Sequence, residues 1–167
     1  MTDPHSSFDA AFTAHGPRLT CRPRDASDAA FLTDLSIACS PVAGMVPAPM
    51  LLQQAEFQHA AHDGAHPRAM QRIAMLDGEP VGRIMIDWDT TESHCVDIAV
   101  LPGHQGKGVG LALLRTWLDV ADQRGQPAQL EVRQDNPAAR IYLRLGFHPV
   151  PDPHGWSPVV TMLRPVG

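Results

Sequence analysis

The stretch VDIAVLPGHQGKGVGLALL, residues 96–114, joins a strand-like run to a helical pattern through a turn that is rich in glycine. Gly106, Gly108 and Gly110 alternate with larger residues in this turn. Glycine allows positive φ and leaves room for another group against the main chain, although it weakens regular structure. The alternation therefore predicts that something comes very near the backbone where the strand passes into the helix.

The hydrophobic pattern on either side of this stretch predicts a single domain of mixed helices and strands. The elements are expected in the order β α α β β β α β α β β, with a hairpin at Asp77-Gly78 between two apolar runs. Residues 1–17 are polar and contain prolines, which predicts a flexible N-terminal tail before a domain over 18–167. The helix after the glycine turn carries apolar residues at spacings of three and four, namely Leu111, Leu114, Trp117, Leu118 and Ala121.

The composition is that of an ordinary globular domain and argues against two classes of partner. The chain has 167 residues and a formal net charge of −5, whereas a nucleic-acid-binding surface is normally basic. No apolar run approaches the roughly 18 residues that a membrane span needs, and the N-terminus lacks a secretory pattern. Three widely spaced cysteines without a CxxC pair indicate reduced thiols. We therefore expect a cytoplasmic protein that binds neither nucleic acid nor membranes.

Two common phosphate-binding patterns do not fit the glycine turn. The P-loop pattern fails because Lys107 precedes Gly108 and no Ser or Thr follows, and the dinucleotide pattern GxGxxG fails because Leu111 stands at its third glycine. What remains is Gln-x-x-Gly-x-Gly over residues 105–110, at the start of an amphipathic helix. Successive backbone amides at a helix start form an anion site that suits a pyrophosphate. A glycine-rich connection without a ligand explains the glycines alone equally well.

The stretch DIAVLPGHQGKGVGLALL, residues 97–114, resembles the acyl-CoA loop of the GNAT superfamily of acyl-CoA-dependent N-acyltransferases, with its signature Gln/Arg-x-x-Gly-x-Gly/Ala. A second segment, LEVRQDNPAARIYLRLGF at residues 130–147, is similar to the family element that carries an asparagine and a tyrosine. The resemblance extends over residues 18–164. It implies an α/β (α+β) fold with a mixed, mostly antiparallel sheet, splayed between its two central strands and flanked by helices.

The resemblance also implies how acetyl-CoA would bind as a co-substrate, without a metal. The pantetheine arm would pair with the main chain at the splay, and backbone amides of the turn would wrap the pyrophosphate. Asn136 would contact the pantetheine, but it stands six positions before Tyr142 where many relatives have seven. An Asn-Pro turn that caps the next helix is the alternative role for Asn136. The other expected contacts are Ile98, Ala99, Val100, Gln105, Gly106, Lys107, Gly108, Val109 and Gly110.

Tyr142 is the only tyrosine in the chain and the candidate for the general acid. In the family, the tyrosine at the matching position protonates the CoA thiolate as it leaves. A tyrosine with a pKa of ~10 can donate to a thiolate whose acid has a pKa of ~8.5 without a large mismatch. The alternative is a ring that packs on the core and carries its hydroxyl at the surface.

Three residues are candidates for the general base that removes the amine proton. Glu131 and Asp97 are the acidic residues on the two central strands, and His94 lies at the start of the first, where several relatives carry their base. Strand alternation places Asp97 on the face opposite Val96 and Ile98 unless a bulge intervenes. Each candidate is also compatible with an edge or solvent-facing position, and a water relay without a single base is a further alternative.

Three histidines, His59, His62 and His66, recur at the spacing of one helical face. Such a face could hold metal ligands. Gly64 and Pro67 interrupt the helical pattern, however, and no carboxylate or cysteine completes a ligand set locally. The segment is therefore predicted to be a solvated, histidine-rich helix rather than a metal site.

Together these features predict an enzyme that moves an acetyl group from acetyl-CoA to a primary amine by direct attack. The acceptor is expected to be a small molecule or a peptide amine. The apolar, proline-rich segments 39–60 and 148–160 are expected to form its walls, which with the negative net charge favours a small amine with an organic tail. An acyl-CoA sensor without turnover is the alternative from a different class, and the sequence leaves a homodimer open.

Overall fold

The computed structural model describes residues 3–89 and 91–167, in which seven strands form one sheet flanked by five α-helices. The helices are α1 (Pro4–Phe12), α2 (Ala29–Ala38), α3 (Ala48–Ala65), α4 (Val109–Gln123) and α5 (Ala139–Arg144). The strands are β1 (Leu19–Pro23), β2 (Met70–Leu76), β3 (Glu79–Asp87), β4 (Ser93–Val100), β5 (Ala128–Arg133), β6 (His148–Pro149) and β7 (Val159–Arg164). Short 3₁₀ turns at Thr13–His15, Ala26–Asp28 and Pro102–His104 precede or follow these elements.

The sheet has the order β1-β2-β3-β4-β5-β7-β6, and its neighbouring strands are antiparallel except for β4 and β5. The parallel pair is short, because Ser93, His94 and Cys95 pair with residues 128–130 and the pairing then stops. Beyond Cys95, β4 continues beside β3 alone. The expected fold class, a mostly antiparallel sheet that opens between its two central strands, is confirmed.

A tight turn between β2 and β3 and a β-bulge in β4 determine which side chains reach the opening. Asp77 and Gly78 both have positive φ, as the type I′ turn of a two-residue hairpin requires, and this confirms the predicted hairpin. In β4, Met85 pairs with Asp97 while the next residue of β3 pairs with Cys95, so Val96 is the extra residue of a β-bulge. The bulge keeps Cys95 and Val100 in the hydrophobic core and leaves Asp97 on the opposite face.

The N-terminal segment is a packed helix, in contrast to the flexible tail expected for residues 1–17. Asp3 caps α1, with its carboxylate accepting from the Ser6 amide at 3.0 Å, and Pro4 occupies the first helical turn. Phe8 and Phe12 are 0% and 1% exposed and pack with α4 in the main core. The sequence analysis missed this helix because its apolar residues occupy one turn among polar residues. The first two residues of the expected tail lie outside the described part of the chain.

The amphipathic helix α4 packs against the sheet and begins at the end of β4. Its predicted apolar face is buried from Leu114 to Ala121, while Leu111 is half-buried at the open end of the sheet. Trp117 is fully buried, and its indole N–H donates to the Ser93 hydroxyl at 3.1 Å. This contact ties α4 to the paired end of β4. In the described residues, none of the helices has the length and hydropathy for a membrane span.

Candidate functional site

The glycine turn leads from the 3₁₀ turn after β4 into the N-terminus of α4. Gly106 and Gly108 have φ of +75° and +86°, a region that residues with a Cβ rarely adopt. The first amide of α4 to donate within the helix is that of Ala112, which bonds the Gly108 carbonyl at 2.9 Å. In the described chain, none of the amides of residues 106–111 donates to another backbone group. These amides, at the positive end of the helix dipole, form a site suited to phosphate oxygens.

The side chains around the turn are arranged to keep its backbone accessible. Val109 is buried, whereas Lys107 is exposed beside the amides. Gln105 turns its side-chain amide inward and donates to the Val100 carbonyl at 3.0 Å, which holds the turn against β4. A Cβ on Gly110 would lie 3.6 Å from a Val100 methyl group, an ordinary contact. Glycine at position 110 is therefore not demanded by the protein's own packing.

The opening between β4 and β5 begins beyond Cys95 and is lined on one side by Ile98 and Ala99, whereas the side chain of Val100 lies in the core. Gly82 on β3 lets the two strands approach closely at this point, because a Cβ there would lie 2.6 Å from the Ala99 carbonyl oxygen. Its role was missed from the sequence, although an isolated glycine within a strand is typical of such a close backbone approach.

Tyr142 on α5 lies beside the point where β4 and β5 separate. It is 8% exposed, and its ring packs edge-on against Phe147 with centroids 6.1 Å apart. Burial raises the pKa of the Tyr142 hydroxyl, and the thiol of Cys95 and the carboxylate of Asp97 act in the same direction. The hydroxyl therefore stays protonated over the physiological range, and the gap between its pKa and that of a thiol is wider than the sequence analysis assumed.

The two carboxylates predicted as bases differ in their surroundings. Asp97 is held in an ion pair with the guanidinium of Arg83, which is 5% exposed and comes from the neighbouring strand. Glu131 is exposed on β5, one residue beyond the last β4–β5 pair. The sequence analysis did not identify Arg83, although an arginine within the apolar run of β3 is an unusual choice for a buried strand.

Asn136 serves first as a turn residue. Its side-chain oxygen accepts from the Ala138 amide at 2.9 Å, and its carbonyl accepts from the Ala139 amide at 3.1 Å. This is the Asn-Pro turn that the sequence left open as an alternative, although the N-cap position of α5 itself is Ala138. The residue nevertheless lines the cavity beside Ile98 and Ala99.

A cavity of about 260 Å³ lies between the open part of β4 and the helices α2 and α3. Asp97 and Asn136 are among its polar walls, and Cys39 closes it from α2 with its thiol 3.3 Å from the Val100 carbonyl. A second, more apolar depression adjoins it through Gln54. The described wall residues of the first cavity are Ser36, Cys39, Ser40, Pro41, Leu51, Gln54, Ala55, Gln58, Asp97, Ile98, Ala99 and Asn136.

The three histidines of α3 do not form the solvated face that the sequence predicted. His59 is bonded to the Ser36 hydroxyl at 2.8 Å, and Nδ1 of His66 lies 2.7 Å from a carboxylate oxygen of Asp87. His62 is half-buried, and α3 continues through Gly64 to Ala65. Within residues 3–89 and 91–167, no three His, Cys, Asp or Glu side chains are placed to hold a metal ion.

Comparison with known proteins identified similarity on both the sequence and the structural level. Residues 30–147 match the sequence model of the acetyltransferase (GNAT) family. The chain is 39% identical over 75 residues to streptothricin acetyltransferase from Streptomyces lavendulae, covering 42% of this chain and 40% of that protein. It is 50% identical over 54 residues to the N-alpha-acetyltransferase RimI of Mycobacterium tuberculosis, covering 32% and 33% of the two chains. These matches thus span less than half the length of either relative.

The fold matches that of a solved structure over nearly its whole length. The PaiA N-acetyltransferase of Thermoplasma acidophilum, crystallised in complex with coenzyme A, superposes with a TM-score of 0.71. The match covers 88% of this chain and 98% of that protein at 14% sequence identity. At this identity the likeness concerns the fold alone.

Proposed function

Because the chain belongs to the acetyltransferase (GNAT) family, we propose that it transfers an acetyl group from acetyl-CoA to the primary amine of a small molecule. The observation that carries the proposal is the separation of β4 from β5 beside the N-terminus of α4. Tyr142 is buried next to the same separation, within the electrostatic reach of Cys95 and Asp97. The opening in the sheet, the free amides of the turn and the buried Tyr142 hydroxyl together support this proposal.

The residues of the opening fit acetyl-CoA in three parts. The main chain of residues 98–100 would pair with the pantetheine amides, and the side-chain nitrogen of Asn136 would donate to a pantetheine carbonyl. The amides of residues 106–110 would bind the pyrophosphate, with Lys107 adding a positive charge beside them. Gln105 would act by holding the turn, since its side chain is already bonded to Val100.

The chemistry needs a proton donor for sulfur and an acceptor for the amine proton. Acetyl-CoA supplies the activated acetyl thioester. The protonated hydroxyl of Tyr142 would donate to the thiolate as it leaves. Of the two acidic candidates for the base, Asp97 has its carboxylate engaged by the guanidinium of Arg83, whereas Glu131 is exposed on β5. Glu131 is therefore the stronger carboxylate candidate.

The acceptor would enter from the side of α2 and α3. The cavity that adjoins Ala99 continues past Gln54 into a depression whose walls include Val42, Met50 and Phe57, and Phe57 is 77% exposed. A cationic amine suits a chain with a net charge of −5, and an apolar tail suits these walls. A cytoplasmic location is part of the proposal and is supported by the three free cysteines.

Thiol release measured with a panel of amines tests this proposal. We expect steady turnover of acetyl-CoA, with kcat/KM higher for a primary alkylamine that carries an apolar tail than for a short hydrophilic amine of the same basicity. A peptide with a free α-amino group completes the panel, and preference for it would overturn the assignment to small molecules. Tight acetyl-CoA binding without thiol release for any acceptor would make the protein an acyl-CoA sensor instead.

A further inference from the structure

A cluster of imidazoles and one carboxylate lies on the face of the sheet that α3 covers. His66, at the end of α3, places its Nδ1 2.7 Å from a carboxylate oxygen of Asp87 on β3. The His66 ring meets that of His94 on β4 edge-on, with centroids 5.3 Å apart. His62 stands one turn earlier on α3, and its carbonyl accepts from the His66 amide at 2.9 Å. We call these four residues the histidine cluster.

The histidine cluster contains one ring nitrogen with an unused bonding capacity. Nδ1 of His62 is buried and has no hydrogen-bond partner among the described residues. The neighbouring His59 and His66 differ in this respect, since Ser36 and Asp87 bond them. A buried polar atom without a partner is energetically unfavourable. A water molecule or a substrate group that reaches Nδ1 would remove this penalty, so the position is suited to a transient partner.

The cluster lies next to the cavity assigned to the acceptor. Gln58, one helical turn before His62, lines that cavity together with Asp97. His62 interacts electrostatically with Asp97 and with its partner Arg83. His94 belongs to the last β4–β5 pairs before the strands separate. The cluster therefore extends from the acceptor cavity along the closed end of the sheet.

The charge state of the cluster suits proton uptake. Burial lowers the pKa of His62 and of His94, so both imidazoles are neutral near pH 7 and can accept a proton. Both side chains are only half-buried, which leaves them a route to solvent. The titratable and charged groups that face the two rings, besides each other, are Asp63 and His66 from the end of α3, Arg83 and Asp87 from β3, Asp97 from β4 and Glu131 from β5.

We propose that His62 takes up, through a water molecule, the proton that the acceptor ammonium must lose before it attacks, and that His66, His94 and Asp87 pass it to solvent. This inference rests on the proposed function. The ammonium N–H bond breaks and an N–H bond to His62 forms. The amine lone pair then forms the C–N bond to the acetyl group while the C–S bond breaks. Tyr142 protonates the sulfur and is reprotonated by the second amine proton, so one proton per turnover leaves through the cluster.

The pH dependence of kcat/KM in His62→Gln and His94→Gln tests the relay. Glutamine keeps much of the volume and a hydrogen-bonding group but cannot carry a proton. We expect kcat/KM at pH 7 to fall by roughly 10²-fold, the lower end of general acid–base contributions. The loss should shrink towards pH 10, because an alkylamine with a pKa of ~10.4 then gives its proton to solvent. It should also be smaller for an α-amino acceptor, whose pKa is ~8.

Two controls make the outcome decisive. His5→Gln, at a histidine on α1 outside the site, should behave as the wild type. The affinity of the two cluster variants for acetyl-CoA, measured by calorimetry, should stay within twofold. A loss of equal size at every pH, or no loss, would overturn the relay while leaving the acetyltransferase assignment standing. A wild-type protein without turnover would overturn both.

An independent readout does not need turnover or a folded variant. In the wild-type protein, ¹⁵N NMR should find the His62 ring neutral at pH 7, in the absence of any substrate. An imidazolium at that pH would overturn the relay, because such a ring has no free lone pair for the incoming proton.

Discussion

At the scale of single residues, Tyr142 makes the sharpest claim about chemistry. The residue is buried beside the opening of the sheet, and its pKa is raised, so its hydroxyl is a donor rather than a base. Tyr142→Phe keeps the packing against Phe147 and removes only the hydroxyl. We expect kcat to fall by roughly 10²–10⁴-fold, with little change in the affinity for acetyl-CoA. Single-turnover kinetics and calorimetry measure the two quantities.

Each alternative outcome for Tyr142 has a distinct meaning. An unchanged rate of the chemical step would reduce Tyr142 to a packing residue. A lost affinity for acetyl-CoA with an unchanged chemical step would make it a cofactor contact. The sequence could single out Tyr142 as a candidate because its motif is local. It could not predict the ion pair between Arg83 and Asp97, whose partners are brought together only by strand pairing.

At the scale of elements, the N-terminus of α4 is the part most open to a clean test. Gly110→Val should abolish acetyl-CoA binding with little loss of stability, because a side chain there meets an ordinary contact with Val100 and yet occupies the approach to the amides. Gly64→Val is the matched control, since this glycine also lies within a helix and a Cβ there has open space. Calorimetry measures the affinity of both variants for acetyl-CoA. An unchanged affinity in folded Gly110→Val would contradict the role of the turn in phosphate binding.

Gly108 is a less direct test position than Gly110. Valine at this position would force a β-branched residue into φ of +86°, so a loss of binding could come from a distorted turn rather than from a blocked phosphate site. The sequence locates both glycines but does not distinguish them. The backbone conformation distinguishes them. The turn requires glycine at position 108 because φ is positive there, whereas the packing around position 110 would accept another residue.

The element that the sequence interpretation missed, α1, has an equally physical explanation. Its capping signals are present as Asp3 followed by Pro4, and its apolar face consists of Phe8 and Phe12. Two aromatic residues four apart carry little periodic information, and the surface that covers them belongs to α4, more than a hundred positions away. The longer elements around the opening could be predicted because each carries its own periodic pattern over two turns or more.

At the scale of the whole molecule, the half-buried histidines link stability to pH. Burial lowers the pKa of His59, His62 and His94 in the folded protein. Unfolded histidines titrate at ~6.5, so below this pH the unfolded state binds more protons than the folded state. The free energy of unfolding should therefore fall as the pH drops through about 6.5. Paired aspartates whose pKa is lowered contribute only at more acidic pH.

Thermal unfolding between pH 8 and pH 5, at constant ionic strength, measures this dependence. The Tm should decrease on acidification, and His62→Gln should show a flatter decrease than the wild type. A Tm that stayed constant or rose between pH 7 and pH 5.5 would contradict the buried, neutral histidines. It would also point to an acceptor of protons elsewhere in the fold.

The early end of the β4–β5 pairing gives the sheet an interior edge. A strand edge with free amides and carbonyls is a template for another extended chain, and here that edge is enclosed by α2, α3 and α5 instead of lying at the rim. Under the proposed function, acetyl-CoA would pair with this edge in the place that a neighbouring strand would otherwise take. Folding would then be linked to metabolite supply, since a ligand at a hundred times its Kd stabilises the native state by about 2.7 kcal/mol. In a cell, binding at this interior edge would make the abundance of the protein, and not only its catalytic rate, depend on the acetyl-CoA concentration.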